Sequence, residues 1–203
     1  MASRIRTSVG VSAAALAMIA VGAGCAAKTA SGPPSAGPSA APTSATSAAV
    51  TGSTAGCATG AWQTVPLAVT HSVAVPPVPV LTAVRTAQDP QCGYDRLVLD
   101  LSGSLPSYSI RSATQVTADA SGRPIALPGQ NFLLITLHEA QAHSDAGTPT
   151  ISSQIQQPGY PALRSWVLAG DNEGVVTIAV GLPGQVSIRT GELPGHLYID
   201  MKE

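Results

Sequence analysis

Beyond residue 80 the apolar positions of this chain recur every second residue, the period of a strand with one face turned to a core. In Arg96-Leu97-Val98-Leu99-Asp100-Leu101 the three leucines point one way, and Arg96, Val98 and Asp100 the other. The pattern predicts strands at Leu81 to Thr86, Arg96 to Leu101, Tyr108 to Thr114, Phe132 to Leu137, Leu163 to Ala169, Val175 to Val180, Val186 to Arg189 and His196 to Met201. Separators rich in Gly, Pro, Asn and Asp fall between them, as at Gly103 to Pro106, Ser121 to Pro124, Gly170 to Gly174, Leu182 to Gly184 and Leu193 to Gly195. Short strands at this spacing predict an all-β fold, an antiparallel β-sandwich of two sheets. The string Arg96-Leu97-Val98-Leu99-Asp100-Leu101 returns as His196-Leu197-Tyr198-Ile199-Asp200-Met201, with basic, apolar and acidic positions in the same order. Two related sheets each contributing one copy is one reading; a string common to half-buried strands is the other.

Upstream the pattern changes. From Trp62 to Val80, Pro66, Pro76, Pro77 and Pro79 break any long element, so an edge strand or irregular packing is expected. Residues 25–56 are almost entirely Ala, Ser, Thr, Pro and Gly, with nothing to build a core, and read as a disordered tether. Before them, Arg4 and Arg6 lead into an apolar run from Val9 to Val21 that stops at Gly22-Ala23-Gly24-Cys25. A basic start, a short apolar segment and small residues at the cut describe a lipoprotein signal peptide over residues 1–24, too short to be a permanent membrane span. Cys25 is the expected site of lipidation and first residue of the mature chain, although Gly22 stands where a lipobox usually has Leu. Ordinary cleavage near Ala23 or Ala27 is the alternative. Lipidation places the domain on the outer face of the cytoplasmic membrane, in the cell envelope.

Composition adds two constraints. All acidic residues lie at or after Asp89, and the region from Arg85 onward holds seven basic residues against eleven acidic ones, a balance of −4. A nucleic-acid partner is excluded on that ground, because a polyanion needs a basic face. With Cys25 assigned to lipid, Cys57 and Cys92 remain as an even pair in an oxidising compartment and are expected to form a disulfide. A reactive thiol at Cys92 is the rival reading, but no basic helix start is evident to lower its pKa.

The candidate chemistries are weak. His138 and His143 are five residues apart, so they share neither a helix face nor a strand face and do not make a zinc motif. His143, Ser144 and Asp145 hold the letters of a hydrolase triad, yet immediate neighbours rarely converge, and no Gly-x-Ser-x-Gly elbow occurs. Neither Lys28 nor Lys202 belongs to a Ser-x-x-Lys motif. Asp171 and Glu173 fall within Gly170 to Gly174, which reads as a hairpin turn rather than a pair of catalytic acids. A mixed loop site from His143, Asp145 and one distant carboxylate is the remaining metal alternative, and a surface loop is the favoured reading. No catalytic residue, metal site or cofactor is therefore assigned, and the chain is read as not an enzyme, with a hydrolase as the less favoured alternative.

A further set of segments carries a resemblance. Leu81-Thr82-Ala83-Val84-Arg85, then Gly93-Tyr94-Asp95-Arg96-Leu97-Val98-Leu99-Asp100-Leu101, resembles the opening of the AMIN-like domain found in secreted lipoproteins of high-GC Gram-positive bacteria. Leu105-Pro106-Ser107-Tyr108, Asn131-Phe132-Leu133, Ala142-His143-Ser144-Asp145, the run from Trp166 to Val176 and the closing Leu197-Tyr198-Ile199-Asp200 follow in the family's order. The resemblance covers about Leu81 to Met201, within a domain read as 57–203. It implies a β-sandwich with a targeting or binding role, since the related AMIN domain of cell-wall amidases and secretins is thought to localise its host by binding peptidoglycan. Tyr94, Arg96 and Tyr198 are the candidate ligand contacts, the arginine for the carboxylate of a stem peptide and the rings for its sugars. An ion pair between Arg96 and Asp100, on the same strand face, is the structural alternative. An envelope protein docked on an exposed sheet edge is the alternative partner.

Overall fold

The structure, a computed structural model, describes Gly56, Cys57 and residues 59–203. The expected signal peptide, Cys25 and the tether up to residue 55 lie outside the described residues. Eleven strands follow in chain order: β1 (Leu67–Val69), β2 (Val80–Asp89), β3 (Tyr94–Ser102), β4 (Ser107–Ala113), β5 (Val116–Thr117), β6 (Pro124–Ile125), β7 (Asn131–His138), β8 (Ser165–Asn172), β9 (Val175–Leu182), β10 (Ser187–Leu193) and β11 (His196–Lys202). They build a four-stranded sheet, order β10-β11-β3-β2, a five-stranded sheet, order β1-β4-β7-β9-β8, and a small β5-β6 ribbon. Every pairing between these strands is antiparallel. All eight expected strands are present, and the two larger sheets form the β-sandwich.

One apolar core joins the two inner faces. Leu97 and Leu99 of β3 with Leu197, Ile199 and Met201 of β11 meet Ile110 of β4, Ile135 of β7 and Ile178 of β9, all buried. Alternation along β3 and β11 dictates this: every second side chain must leave water, and the leucines and isoleucines are the ones that gain by it.

The outer faces differ, and the difference positions the candidate site. On the five-stranded sheet a second buried cluster, including Leu134, Val167 and Ala179, lies under Val116 and Leu127 from the segment that carries β5 and β6. That sheet is apolar on both sides, which is why β9 is nearly continuous in Val, Ile and Ala rather than alternating. The outer face of the four-stranded sheet carries charged and aromatic residues instead.

Turn chemistry sets the registers. Glu173 (φ 54°) and Gly174 (φ 74°) form the two-residue connection between β8 and β9, with the left-handed pair that a type I′ turn requires. Gly170 and Asp171, expected in that turn, instead belong to β8, where Gly170 pairs with Thr177 beside a register shift. Pro194 and Gly195 (φ 73°) connect β10 to β11 and place Arg189 opposite Asp200.

Upstream, Gln63 bridges to Ile188 at the β10 edge, and a few residues later β1 pairs with β4 at the edge of the other sheet. The chain between Trp62 and Val80 thus supplies the edge strand expected of it and crosses from one sheet to the other. Cys57 and Cys92 are joined by a disulfide, which fastens the start of this segment to the β2–β3 turn.

Candidate functional site

Register fixes which side chains share the outer face of the four-stranded sheet. In one row across the strands stand Arg189, Asp200 and Arg96; in the next stand Gly191, Tyr198 and Val98; beyond them His196 lies opposite Asp100. The two copies of the repeated string are therefore adjacent strands of one sheet. The expectation that each of two sheets contributes one copy is overturned. Antiparallel pairing of two strings with the same basic-to-acidic order brings the basic end of each against the acidic end of the other, so Arg96 meets Asp200 and His196 meets Asp100.

Asp200 is fully buried and accepts hydrogen bonds from two guanidinium groups. Arg96 reaches it with Nη2 at 2.9 Å while Nε donates to the second oxygen, and Arg189 reaches it with Nε at 3.0 Å. A buried carboxylate without such partners would cost several kcal/mol, so the arginines are a condition of its burial. Asp100 is held separately, by Arg85 from β2 and by His196 Nδ1 at 2.7 Å. The expected Arg96–Asp100 pair is thus replaced by Arg96–Asp200, because cross-strand neighbours on this face are nearer than same-strand ones. The Arg85 guanidinium beside Asp100 is the largest influence holding that carboxyl below the ordinary aspartate value.

Over these charges the aromatic rings and cations alternate. The Arg96 guanidinium carbon lies 4.4 Å from the Tyr198 ring centroid and 5.2 Å from that of Tyr94. Arg189 follows at 5.1 Å from Tyr94 and 4.6 Å from Trp62, and Lys202 Nζ lies 5.2 Å from Trp62. Trp62 and Tyr94 are themselves 6.2 Å apart and tilted. Each such contact contributes about 0.5–1 kcal/mol at an exposed site and more where water is excluded. The hydrogen bonds that Arg96 donates to Asp200 raise the arginine's pKa above its ordinary value, and burial raises that of Tyr94, so the ring stays neutral and the cation charged.

Two glycines give this stack its room. A side chain at Gly191 would collide with the Tyr198 ring, which lies across β10 at that point, and one at Gly60 would stand 2.8 Å from Arg189 Cδ.

The structure brings Tyr94, Arg96 and Tyr198 together, as the sequence suggested, and adds Trp62 and Arg189, which the sequence reading missed. Trp62 comes from the crossing segment, placed by the Cys57–Cys92 disulfide on one side and the Gln63–Ile188 bridge on the other. Two cations, Arg96 and Arg189, share the buried carboxylate of Asp200, and a third, Lys202, lies over the Trp62 ring. The face therefore suits a ligand with both apolar ring surfaces and anionic groups.

The residues weighed for catalysis lie elsewhere. His143 Nδ1 is 2.7 Å from Asp171 Oδ2, and the other Asp171 oxygen accepts the Ala142 N–H at 2.9 Å. Asp171 thus ties a loop to β8 and is not explained by turn chemistry; the expectation fails because the turn is only Glu173 and Gly174. Ser144 Oγ accepts the Thr148 N–H at 3.2 Å, so the adjacent His143, Ser144 and Asp145 make no triad among themselves. His138 ends β7 with its Nε2 3.5 Å from Ser109 Oγ, away from the His143 partner.

Comparison with curated proteins and with solved structures gives no match. The AMIN-like domain family matches residues 79–203, from the start of β2 to the end of β11, and includes Tyr94, Arg96, Arg189 and Tyr198 but not Trp62. On that match over more than half its length, the chain belongs to the AMIN-like domain family.

Proposed function

We propose that this protein is a non-enzymatic binding module held by lipid on Cys25 at the outer face of the cytoplasmic membrane. There it binds peptidoglycan on the outer face of its four-stranded sheet. AMIN-like domains are in general extracytoplasmic, non-catalytic modules of the envelope, which supports the location and the class. The observation that carries the ligand reading is the stack of Tyr198, Arg96 and Tyr94 on an open sheet face. The partly exposed rings of Tyr198 and Trp62 offer flat apolar surface to sugars, and the surplus of guanidinium over carboxylate attracts the acidic groups of stem peptides.

The test is co-sedimentation of the full chain, in non-ionic detergent, with protein-free cell-wall sacculi over a range of salt. Retention that persists at high salt supports the reading. A folded chain that stays in the supernatant at every salt concentration contradicts it. The lipid anchor is tested separately: Cys25→Ser is expected to move the protein from the membrane fraction to the soluble one.

A second reading rests on the edge of that same sheet. β2 is its last strand, and beyond the contact of Val80 and Leu81 with Gln141 no described strand pairs with its outer edge. Such an edge accepts an added strand from a partner protein. Crosslinking that captures an envelope protein on β2, with no retention on sacculi, would favour this alternative.

A further inference from the structure

At one end of the four-stranded sheet a cleft of about 460 Å³ opens beside the β2–β3 turn, and its lining includes Asp89, Tyr94, Asp95, Pro161, Lys202 and Glu203. Three of these side chains are carboxylates and one is an ammonium. Asp95 sets the chemistry. It occupies an inward-facing position of β3, where the alternation calls for an apolar residue, and is only 2% exposed. Its Oδ2 accepts the N–H groups of Ala162 at 2.6 Å and Leu163 at 2.9 Å. Among the described residues Oδ1 has no hydrogen-bond partner and no cation pairs with Asp95, and no side-chain oxygen closed off from solvent is left unsatisfied. The second oxygen therefore opens on the cleft that Asp95 lines. Lys202 does not neutralise it: its ammonium lies over the Trp62 ring.

A nearly buried carboxylate with one oxygen satisfied and the other presented to a cleft of net negative charge is built for a cationic hydrogen-bond donor. We propose that this cleft is a subsite for a primary ammonium on a short aliphatic stem, accepted by Asp95 Oδ1 and flanked by the Tyr94 ring. Tyr94 also lines a second cleft, of about 310 Å³, together with Arg96. An ammonium and a carboxylate of one peptide are then held in two clefts that share Tyr94. The inference rests on the wall-binding reading and narrows it from glycan to peptide: the uncrosslinked diamino acid of a stem peptide carries both groups.

The test compares untreated sacculi with sacculi whose amines have been N-acetylated, using the full chain and its Asp95→Asn variant. An asparagine oxygen still accepts the two backbone N–H groups, while its NH₂ replaces the oxygen that faces the cleft, so the fold is preserved and the acceptor lost. Acetylation is expected to cut retention at least tenfold, and Asp95→Asn to cut it equally with no further loss on acetylated material. Equal retention on both kinds of sacculi overturns the ammonium subsite and leaves wall binding standing. If neither is retained, the wall reading fails, and titration with N-α-acetyl-lysine amide against its N-ε-acetylated form decides the subsite alone. Selective binding of the free amine upholds it, and no difference between the two overturns it.

Discussion

Arg96 and Asp200 face each other directly across the β3–β11 ladder, and the guanidinium closes on both carboxylate oxygens of its partner. Asp100 stands four positions after Arg96, as Asp200 does after His196, so antiparallel pairing produces the reciprocal contact of His196 with Asp100 in the same two strands. The outer strands complete the pattern, Arg189 from β10 reaching Asp200 and Arg85 from β2 reaching Asp100. A short repeated string is in this way a device that fixes register, since any slip of β11 against β3 separates both charge pairs at once.

Burial makes the two halves unequal in energy. Asp200 is enclosed, whereas Asp100 is partly open and its partner Arg85 is largely solvated. Asp200→Ala leaves two guanidinium groups around an emptied site and is expected to cost about 3–5 kcal/mol. Asp100→Ala is expected to cost about 1 kcal/mol or less, as exposed pairs do. Urea unfolding of the two variants measures the difference, and equal losses would contradict the reciprocal but asymmetric design.

Much of this fold was legible in the chain because β3 and β11 are each solvated on one side, which leaves the period of two undisturbed. The outer cover of the five-stranded sheet was not, since β5 and β6 have two residues each and no period to read. Within the site, Arg189 was within reach: the Pro194-Gly195 turn counts it into register with Asp200. Trp62 was within reach too. It stands five residues after Cys57, and Tyr94 stands two after Cys92, so the expected disulfide already drew the two rings together. What no local pattern reveals is Asp95, an acid at a core position whose reason is the backbone of Ala162 and Leu163, far away in sequence.

The disulfide closes a loop of 35 residues. The chain-entropy model assigns such a loop about 4 kcal/mol. For a domain of this size that corresponds to a fall in Tm of about 8–16 °C in the Cys57→Ser, Cys92→Ser double variant. Differential scanning calorimetry gives the value, and an unchanged Tm would show that the crossing segment is held by its other contacts alone.

Tyr108 gives a pH signature. Its ring is in the core, its hydroxyl donates to Glu192 Oε1 at 2.9 Å, and burial first, then this neighbouring carboxylate, push its pKa up to about 12. The folded state holds the phenol neutral while the unfolded chain ionises near pH 10, so the stabilisation is complete below pH 10 and is lost as pH rises toward 12. Difference absorbance of tyrosinate in the folded protein should show one tyrosine titrating about two pH steps later than a model phenol, and Tyr108→Phe should remove it. A Tyr108→Phe variant with an unchanged titration curve would refute the assignment.

The central claim is that the aromatic and cationic face of the four-stranded sheet holds the cell wall. It is tested most directly by co-sedimentation with purified sacculi of the parent chain, Trp62→Ala, Tyr198→Ala and, as a control on a distant exposed loop, Arg123→Ala. The account predicts that the parent and Arg123→Ala sediment alike and that each ring variant, folded by circular dichroism, loses at least tenfold in retention. Ring variants that sediment as well as the parent would contradict it.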